Sequence, residues 1–169
     1  MPRFRPVAVV LVLIALLGPA GAAPAADAPA PRVILAPAEF VPADHAGKVL
    51  VVDFWASWCK PCGKSLPWLS RLAAAHGAEG LTVVAVNLDK DLAAAQAMID
   101  ALDPAILVVH DPEGALAGRY ELEGMPSAFV YDRRGGLRAR HVGFLPAEAA
   151  AKEQEILTLL HEEARTDAP

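Results

Sequence analysis

The chemistry that this sequence could perform is indicated first by Cys59 and Cys62, the only two cysteines in the chain. Lys60 and Pro61 separate them, and they follow the apolar run 49–55, which predicts a buried strand. At a strand-to-helix junction the helix N-terminus stabilises one sulfur as a thiolate, and the second sulfur is close enough to form a disulfide. A structural disulfide closing so short a loop would stabilise the fold little. The pair therefore predicts a redox-active disulfide.

Asp53 is the second candidate, because it interrupts the otherwise apolar run just before Cys59. Burial of a carboxylate without a partner is unfavourable, so we expect its pKa to be raised. A carboxyl group held near neutrality beneath the disulfide could take the proton of Cys62 as that sulfur attacks, and return it in the reverse direction. The alternative is an aspartate turned outward and hydrated.

The residues between the cysteines are expected to tune this chemistry. Pro61 fits the first turn of a helix and stiffens the loop. Lys60 is either a cation that stabilises the thiolate of Cys59 or a solvated surface charge. The five histidines show no metal-ligand spacing, so we predict no metal site and no cofactor beyond the disulfide. The two sulfurs alone would suit only a soft ion such as Cu(I), which leaves copper handling as an alternative.

Periodicity predicts the elements that must position these residues. The expected order is βαβαβαββα, with parallel early strands and a final antiparallel hairpin, which gives an α/β fold with helices on both faces of a small mixed sheet. Cys59 would then lie at the carboxyl end of a central strand, where such sheets bind ligands. The predicted strands are 49–55, 81–87, 105–109, 126–131 and 137–142, and the predicted helices are about 60–76, 91–102, 116–120 and 146–164.

The first residues have the composition of an export segment. Arg3 and Arg5 precede an apolar run at 7–17, and small residues follow it. This pattern predicts a secretory signal over residues 1–22, cleaved after Ala22. The alternative is an uncleaved membrane anchor through residues 7–26. Both predict a periplasmic location for the rest of the chain, because the arginines stay on the cytoplasmic side.

Length and composition indicate how the rest of the chain is divided into domain, linker and tail. The 169 residues suffice for one domain with appendages, and 54% apolar residues suffice for a core. We predict an Ala/Pro linker at 23–31, a globular domain at 32–164 and a short tail at 165–169. The formal net charge of −5 gives no electrostatic reason to expect a nucleic acid as a partner.

The chain resembles the thioredoxin superfamily, and within it the exported TlpA/ResA-like branch, over residues 32–164. A helix and strand inserted at 89–110 distinguish that branch from plain thioredoxins. The segments that carry the resemblance are Trp58-Cys59-Lys60-Pro61-Cys62 after 53–56, Pro67 inside the following helix, Gly124-Met125-Pro126-Ser127, and Gly143.

The resemblance implies roles for these residues. Cys59 would be a partly exposed nucleophile, and Cys62, one turn inside the helix, would be the buried resolving cysteine. Pro126 would follow a cis peptide bond that turns the backbone of Met125 toward the sulfurs, ready to pair with an extended substrate. Trp58 would line the docking surface. The alternatives are a trans proline in a turn and a tryptophan in the core.

In thioredoxins the position of Asp53 carries such an acid, often near a lysine of the neighbouring strand. The matching neighbour here is Ala85, which predicts a drier site and a carboxyl group that is harder to ionise.

The implied activity is that of an enzyme, a thiol–disulfide oxidoreductase that reduces disulfides in client proteins. The family implies clients such as apocytochrome c, and a membrane thiol donor that reduces the enzyme again. An oxidant or isomerase, a copper-handling assembly factor and a redox-inert binding module are the alternatives.

Overall fold

A computed structural model describes residues 32–164 of the protein. The predicted signal or anchor, the Ala/Pro linker and the C-terminal tail lie outside the described residues. The strands are β1 (Ile34–Leu35), β2 (Val49–Trp55), β3 (Leu81–Asn87), β4 (Leu107–His110), β5 (Ser127–Tyr131) and β6 (Leu137–Val142). The helices are α1 (Cys62–His76), α2 (Gln96–Asp100), α3 (Ala115–Arg119) and α4 (Ala149–Ala164).

The strands form one mixed sheet in the order β1-β4-β3-β2-β5-β6. The first four strands of that order are parallel, whereas β5 is antiparallel to β2 and β6 to β5. Parallel pairing requires crossover connections, so β2 and β3, which are covered on both faces, are buried along their whole length. The predicted α/β class, mixed sheet and antiparallel final hairpin are confirmed.

Side chains of successive strand residues divide between two apolar clusters, one on each face of the sheet. One cluster joins alternate residues of β2 and β3 to α1, α2 and α4, with Leu66, Ile99 and Ile156 as buried helix residues. The other packs the remaining strand residues against α3 through Leu116 and against Phe40. The sheet is therefore covered on both faces, and the face carrying α1 and α4 is the one that holds the two cysteines.

Three predicted helices differ from the structure at their starts. The segment predicted as one helix at 91–102 is a 3-10 turn at Leu92–Ala95 followed by the short α2. The side chain of Asp91 accepts a hydrogen bond from the Ala93 amide, which favours a tight turn over a regular helix at this point. The last helix likewise opens with a 3-10 turn at Pro146–Glu148. The first helix begins at Cys62 rather than at residue 60, and Pro61 occupies the N-cap position without a side-chain hydrogen bond.

The strand predictions hold with small shifts at the ends. β6 has the predicted bounds, and β4 lies two residues later at its start than expected. The two-residue β1 was missed in the sequence because so short an edge strand has no periodicity to detect; it pairs with β4 through Ile34 and Leu35.

Candidate active site

Cys59 and Cys62 form a disulfide where the chain passes from β2 into α1, with Cα atoms 5.3 Å apart. Two successive turns bring them together, because the amide of Cys59 donates to the Ala56 carbonyl and the amide of Cys62 donates to the Cys59 carbonyl. Cys62 is the first residue of α1, so the prediction that it lies one turn inside the helix is wrong.

As predicted, Cys62 is less exposed than Cys59, but Cys59 itself is less exposed than expected. Cys62 is fully buried, and Cys59 is 6% exposed rather than partly exposed. The physical reason is that the disulfide bonds the sulfur of Cys59 to a buried partner, and both residues belong to the apolar cluster beneath α1. Cys59 remains the more accessible of the two sulfur-bearing residues.

The residues beside the disulfide differ in their exposure. Trp58 is 68% exposed, which contradicts the alternative of a core tryptophan. Lys60 is exposed and Pro61 is half-buried beside it. Their roles toward a substrate stay predictions.

The Met125–Pro126 peptide bond is cis, as the resemblance implied. Hydrogen bonds hold the backbone on both sides of it, since the Gly143 amide donates to the Pro126 carbonyl at 2.7 Å and the Ser127 hydroxyl donates to the Gly124 carbonyl at 2.7 Å. Pro126 is buried and Met125 is half-buried. β5, which these residues introduce, pairs directly with β2.

Asp53 is buried in the middle of the sheet, with 1% of its surface exposed. Its neighbours in register are Ala85 on β3 and Ala128 on β5. Alternation along β2 places its side chain on the face of Val51 and Trp55, which belong to the cluster containing both cysteines. The alternative of an outward, hydrated aspartate is therefore wrong, and Ala85 is the matching neighbour, as expected.

Burial raises the pKa of Asp53 well above its usual value, as predicted, and the Lys152 ammonium on α4 opposes part of that rise. This cation was not predicted from the sequence. Lys152 is distant from Asp53 along the chain, and only the packing of α4 against β2 brings them near each other. The amphipathic pattern of α4 was the available signal, because a lysine within the first turns of a core-facing helix can reach over the sheet.

A second buried acid, Asp89, holds the loop that carries the cysteines. Its Oδ2 accepts from the Ser57 amide at 2.8 Å and from Asn87 Nδ2 at 2.7 Å, and its Oδ1 accepts from the Ser57 hydroxyl at 2.7 Å. Burial acts to raise the pKa of Asp89, but the hydrogen bonds from Asn87 and Ser57 outweigh it and the pKa is lowered. These residues were also missed, although their signal was visible as polar side chains at the end of a buried strand.

The sheet topology, the disulfide at the start of α1 and the cis-proline at the start of β5 together define the thioredoxin fold and its redox site. Comparison with known proteins identifies the family to which the chain belongs within this fold. Residues 20–160 match the Redoxin family, and the chain belongs to that family. The resemblance to TlpA/ResA-like redoxins is confirmed.

Individual relatives agree with this assignment. The chain is 33% identical over 92 residues to the thiol-disulfide oxidoreductase ResA of Oceanobacillus iheyensis, covering 54% of this chain and 48% of that protein. It is 33% identical over 114 residues to the thiol:disulfide interchange protein DsbE of Yersinia pestis, covering 67% of this chain and 57% of that protein. The chain thus spans about half the length of these curated relatives.

Solved structures give the same result. The crystal structure of a putative thiol:disulfide interchange protein DsbE from Chlorobium tepidum is 42% identical, with a TM-score of 0.66, and covers 70% of this chain and 84% of that one. Among the described residues, none of the helices has the length and apolar character needed to cross a bilayer.

Proposed function

We propose that the protein is a thiol–disulfide oxidoreductase that reduces disulfides in client proteins. The observation that carries the proposal is the Cys59–Cys62 disulfide at the start of α1, on the same face of the sheet as the buried Asp53. The names of the relatives support it, since the similar ResA and DsbE proteins are called a thiol-disulfide oxidoreductase and a thiol:disulfide interchange protein.

The reaction starts from the reduced enzyme. The thiolate of Cys59 attacks one sulfur of a client disulfide, forming a mixed disulfide and releasing the other client sulfur as a thiolate. The thiol of Cys62 gives its proton to the carboxylate of Asp53 and attacks the sulfur of Cys59. This step forms the Cys59–Cys62 bond, breaks the mixed disulfide and releases the second client thiolate. Two electrons pass from the enzyme to the client, and the client thiolates take up protons from water.

We place the enzyme outside the inner membrane. The support is the basic and then apolar N-terminal sequence, which predicts either a cleaved signal or an anchor through residues 7–26. The clients would be exported proteins with cysteines, including apocytochromes during cytochrome c maturation. A membrane thiol donor would reduce the Cys59–Cys62 disulfide after each turnover, because an oxidising compartment supplies no dithiol of its own.

Trapping of clients by Cys62→Ala tests this function directly. Without the resolving sulfur, the mixed disulfide on Cys59 persists, so covalent adducts that dithiothreitol releases should accumulate with exported proteins. The matched control is Cys59→Ala, which keeps the fully buried Cys62 and should trap nothing. The proposal fails if Cys62→Ala captures no protein, or if both variants capture the same amount.

The same preparation separates the alternatives. A reduction potential far above about −200 mV would make the enzyme an oxidant, since strongly oxidising relatives lie there. Stoichiometric Cu(I) binding by the reduced protein, with negligible reduction of a protein disulfide such as that of insulin, would make it a copper-handling factor.

A further inference from the structure

A small cavity lies against the carboxyl group of Asp53, on the sheet face that α1 and α4 cover. Its walls include Asp53, Ser65, Trp68, His141 and Lys152. About 20 Å³ is available to the centre of a water-sized sphere, which is room for one water molecule. The neighbours of Asp53 in register, Ala85 and Ala128, are small, which leaves space at this point of an otherwise filled core.

The walls of the cavity are mostly apolar, but they include residues whose buried polar atoms are unpaired. Within residues 32–164, three buried atoms whose residues line it have no hydrogen-bond partner, namely Asp53 Oδ2, Trp68 Nε1 and His141 Nε2. His141 Nε2 does lie 2.9 Å from Glu155 Oε2, but without the geometry of a hydrogen bond. Buried polar atoms are rarely left without partners, so three of them among the residues of one cavity distinguish this part of the core.

Lys152 is the cation on the wall of this cavity. Its side chain is 12% exposed, and its Nζ donates to the Gly143 carbonyl at 3.2 Å and lies 3.3 Å from Glu148 Oε2. The ammonium also lies 5.6 Å from the ring centroid of Phe144. These contacts orient the ammonium over the strand end and keep it close to the cavity rather than free in solvent.

We propose that Lys152 is a positioning residue for the thiol–disulfide reaction, because its side chain lines the same cavity as Asp53, whose carboxylate must receive the proton of Cys62. This inference rests on the proposed function. In the reduced enzyme Asp53 accepts a proton only when it is ionised, and a nearby cation stabilises the ionised form. Lys152 therefore increases the fraction of reduced enzyme that is ready to resolve the mixed disulfide at neutral pH.

Few other charges face Asp53. β3 and β5 present Ala85 and Ala128 beside it, and α1 presents Ser65 and Trp68, none of which titrates in the neutral range. On the same face are the two cysteines.

The remaining groups belong to β6 and the C-terminal segment. His141 lines the cavity and contacts Glu155, and Glu148 contacts Lys152. Because these groups share the cavity with Asp53 or contact its wall, a change in the pH profile must be assigned with a direct titration of Asp53.

The test combines two measurements on the full chain. The first is the titration of the Asp53 carboxyl carbon by NMR in the oxidised protein. The second is the pH profile of single-turnover reduction of insulin by the reduced protein. Lys152→Met removes the charge and keeps the length of the side chain, Lys152→Arg keeps the charge, and Lys48→Met is the control at an exposed lysine near the opposite end of β2.

We expect Lys152→Met to move the Asp53 titration to higher pH, to slow the reaction several-fold at pH 7 and to restore it as pH rises. In both measurements Lys152→Arg should lie closer to the wild type than Lys152→Met does, and Lys48→Met should match the wild type. If Lys152→Met does not fold, Glu148→Gln serves instead, because removing that carboxylate leaves the ammonium freer to act on Asp53 and should move the titration to lower pH.

The possible failures are distinguishable. Suppose that the Asp53 carboxyl group titrates in Lys152→Met, or in Glu148→Gln in its place, as it does in the wild type, and that the wild type reduces insulin. The inference about Lys152 is then overturned and the proposed function stands. If the titration moves as expected but the wild type reduces no protein disulfide, the proposed function is overturned.

Discussion

Asp53 and Asp89 are two buried acids near the same end of the sheet, with 1% and 3% of their surfaces exposed. Asp53 lies near the end of β2 and Asp89 lies two residues beyond β3. Both carboxyl groups have left water, so burial acts to raise both pKa values. Their pKa values nevertheless move in opposite directions, up for Asp53 and down for Asp89.

Hydrogen-bond donors make the difference. Asp89 accepts from the amide and hydroxyl of Ser57 and from Asn87, so its charge is stabilised and it holds the loop before the cysteines in place. Asp53 Oδ2 has no donor among the described residues. A buried acid with several donors becomes a fixed structural anion, whereas one without them stays able to gain and lose a proton.

Among the variants that separate the two acids, Asp53→Asn is expected to have the largest effect. The amide cannot accept the proton of Cys62, so the resolving step should slow by about 100-fold, the lower end of general acid–base contributions. Single-turnover mixing with a mixed-disulfide substrate measures that step. Asp89→Asn is the matched control and should leave the resolving step within a few-fold of the wild type. Equal losses in the two variants would remove the distinction between a proton carrier and a structural anion.

The pH dependence of stability should separate the same two acids. Asp53 has a folded pKa above its usual value of 3.8, so its contribution to stability is present below pH 3.8 and is lost as pH rises through the folded pKa. Asp89 has a lowered folded pKa, so its contribution is present above pH 3.8 and is lost as pH falls through the folded pKa.

Urea unfolding from pH 3 to pH 9 checks these signs. The stability of Asp53→Asn relative to the wild type should increase with pH. The deficit of Asp89→Asn should be about 2 kcal/mol at pH 7, as expected for hydrogen bonds to a charged group, and should shrink in acid. If plots of unfolding free energy against pH run parallel for the variants and the wild type over the whole range, the opposite pKa shifts are contradicted.

The sequence predicted Asp53 but not Asp89, and the reason is the way each acid is held. Asp53 stands out because a charge in an apolar strand is conspicuous, and its position relative to Cys59 is local. Asp89, Asn87 and Ser57 come together only when β2 and β3 pair, and each is ordinary by itself. Lys152 required the packing of α4, which sequence periodicity places on a helix but not over a particular residue.

Prediction of the helices and strands from the sequence was limited in the same way, by contacts that form only on folding. Long buried strands such as β2 and β3 were predicted with their bounds, because an unbroken apolar run has one interpretation in an alternating α/β pattern. The start of α1 depended on local backbone turns, and the turn before α2 depended on the side-chain hydrogen bond of Asp91, neither of which composition determines. The exposure of Cys59 depended on the disulfide itself.

Ser57→Ala gives the smallest expected effect and tests which donor matters at Asp89. The substitution removes the hydroxyl that donates to Oδ1 and keeps the amide that donates to Oδ2. We expect a loss of about 1 kcal/mol in unfolding free energy, since one hydrogen bond of the set is lost and solvent can reach the half-buried site. The rate of the resolving step should be unchanged, because none of the hydrogen bonds of this network involves Asp53. A large rate loss in Ser57→Ala would show that the loop held by Asp89 also controls proton transfer, and the two acids would then act together.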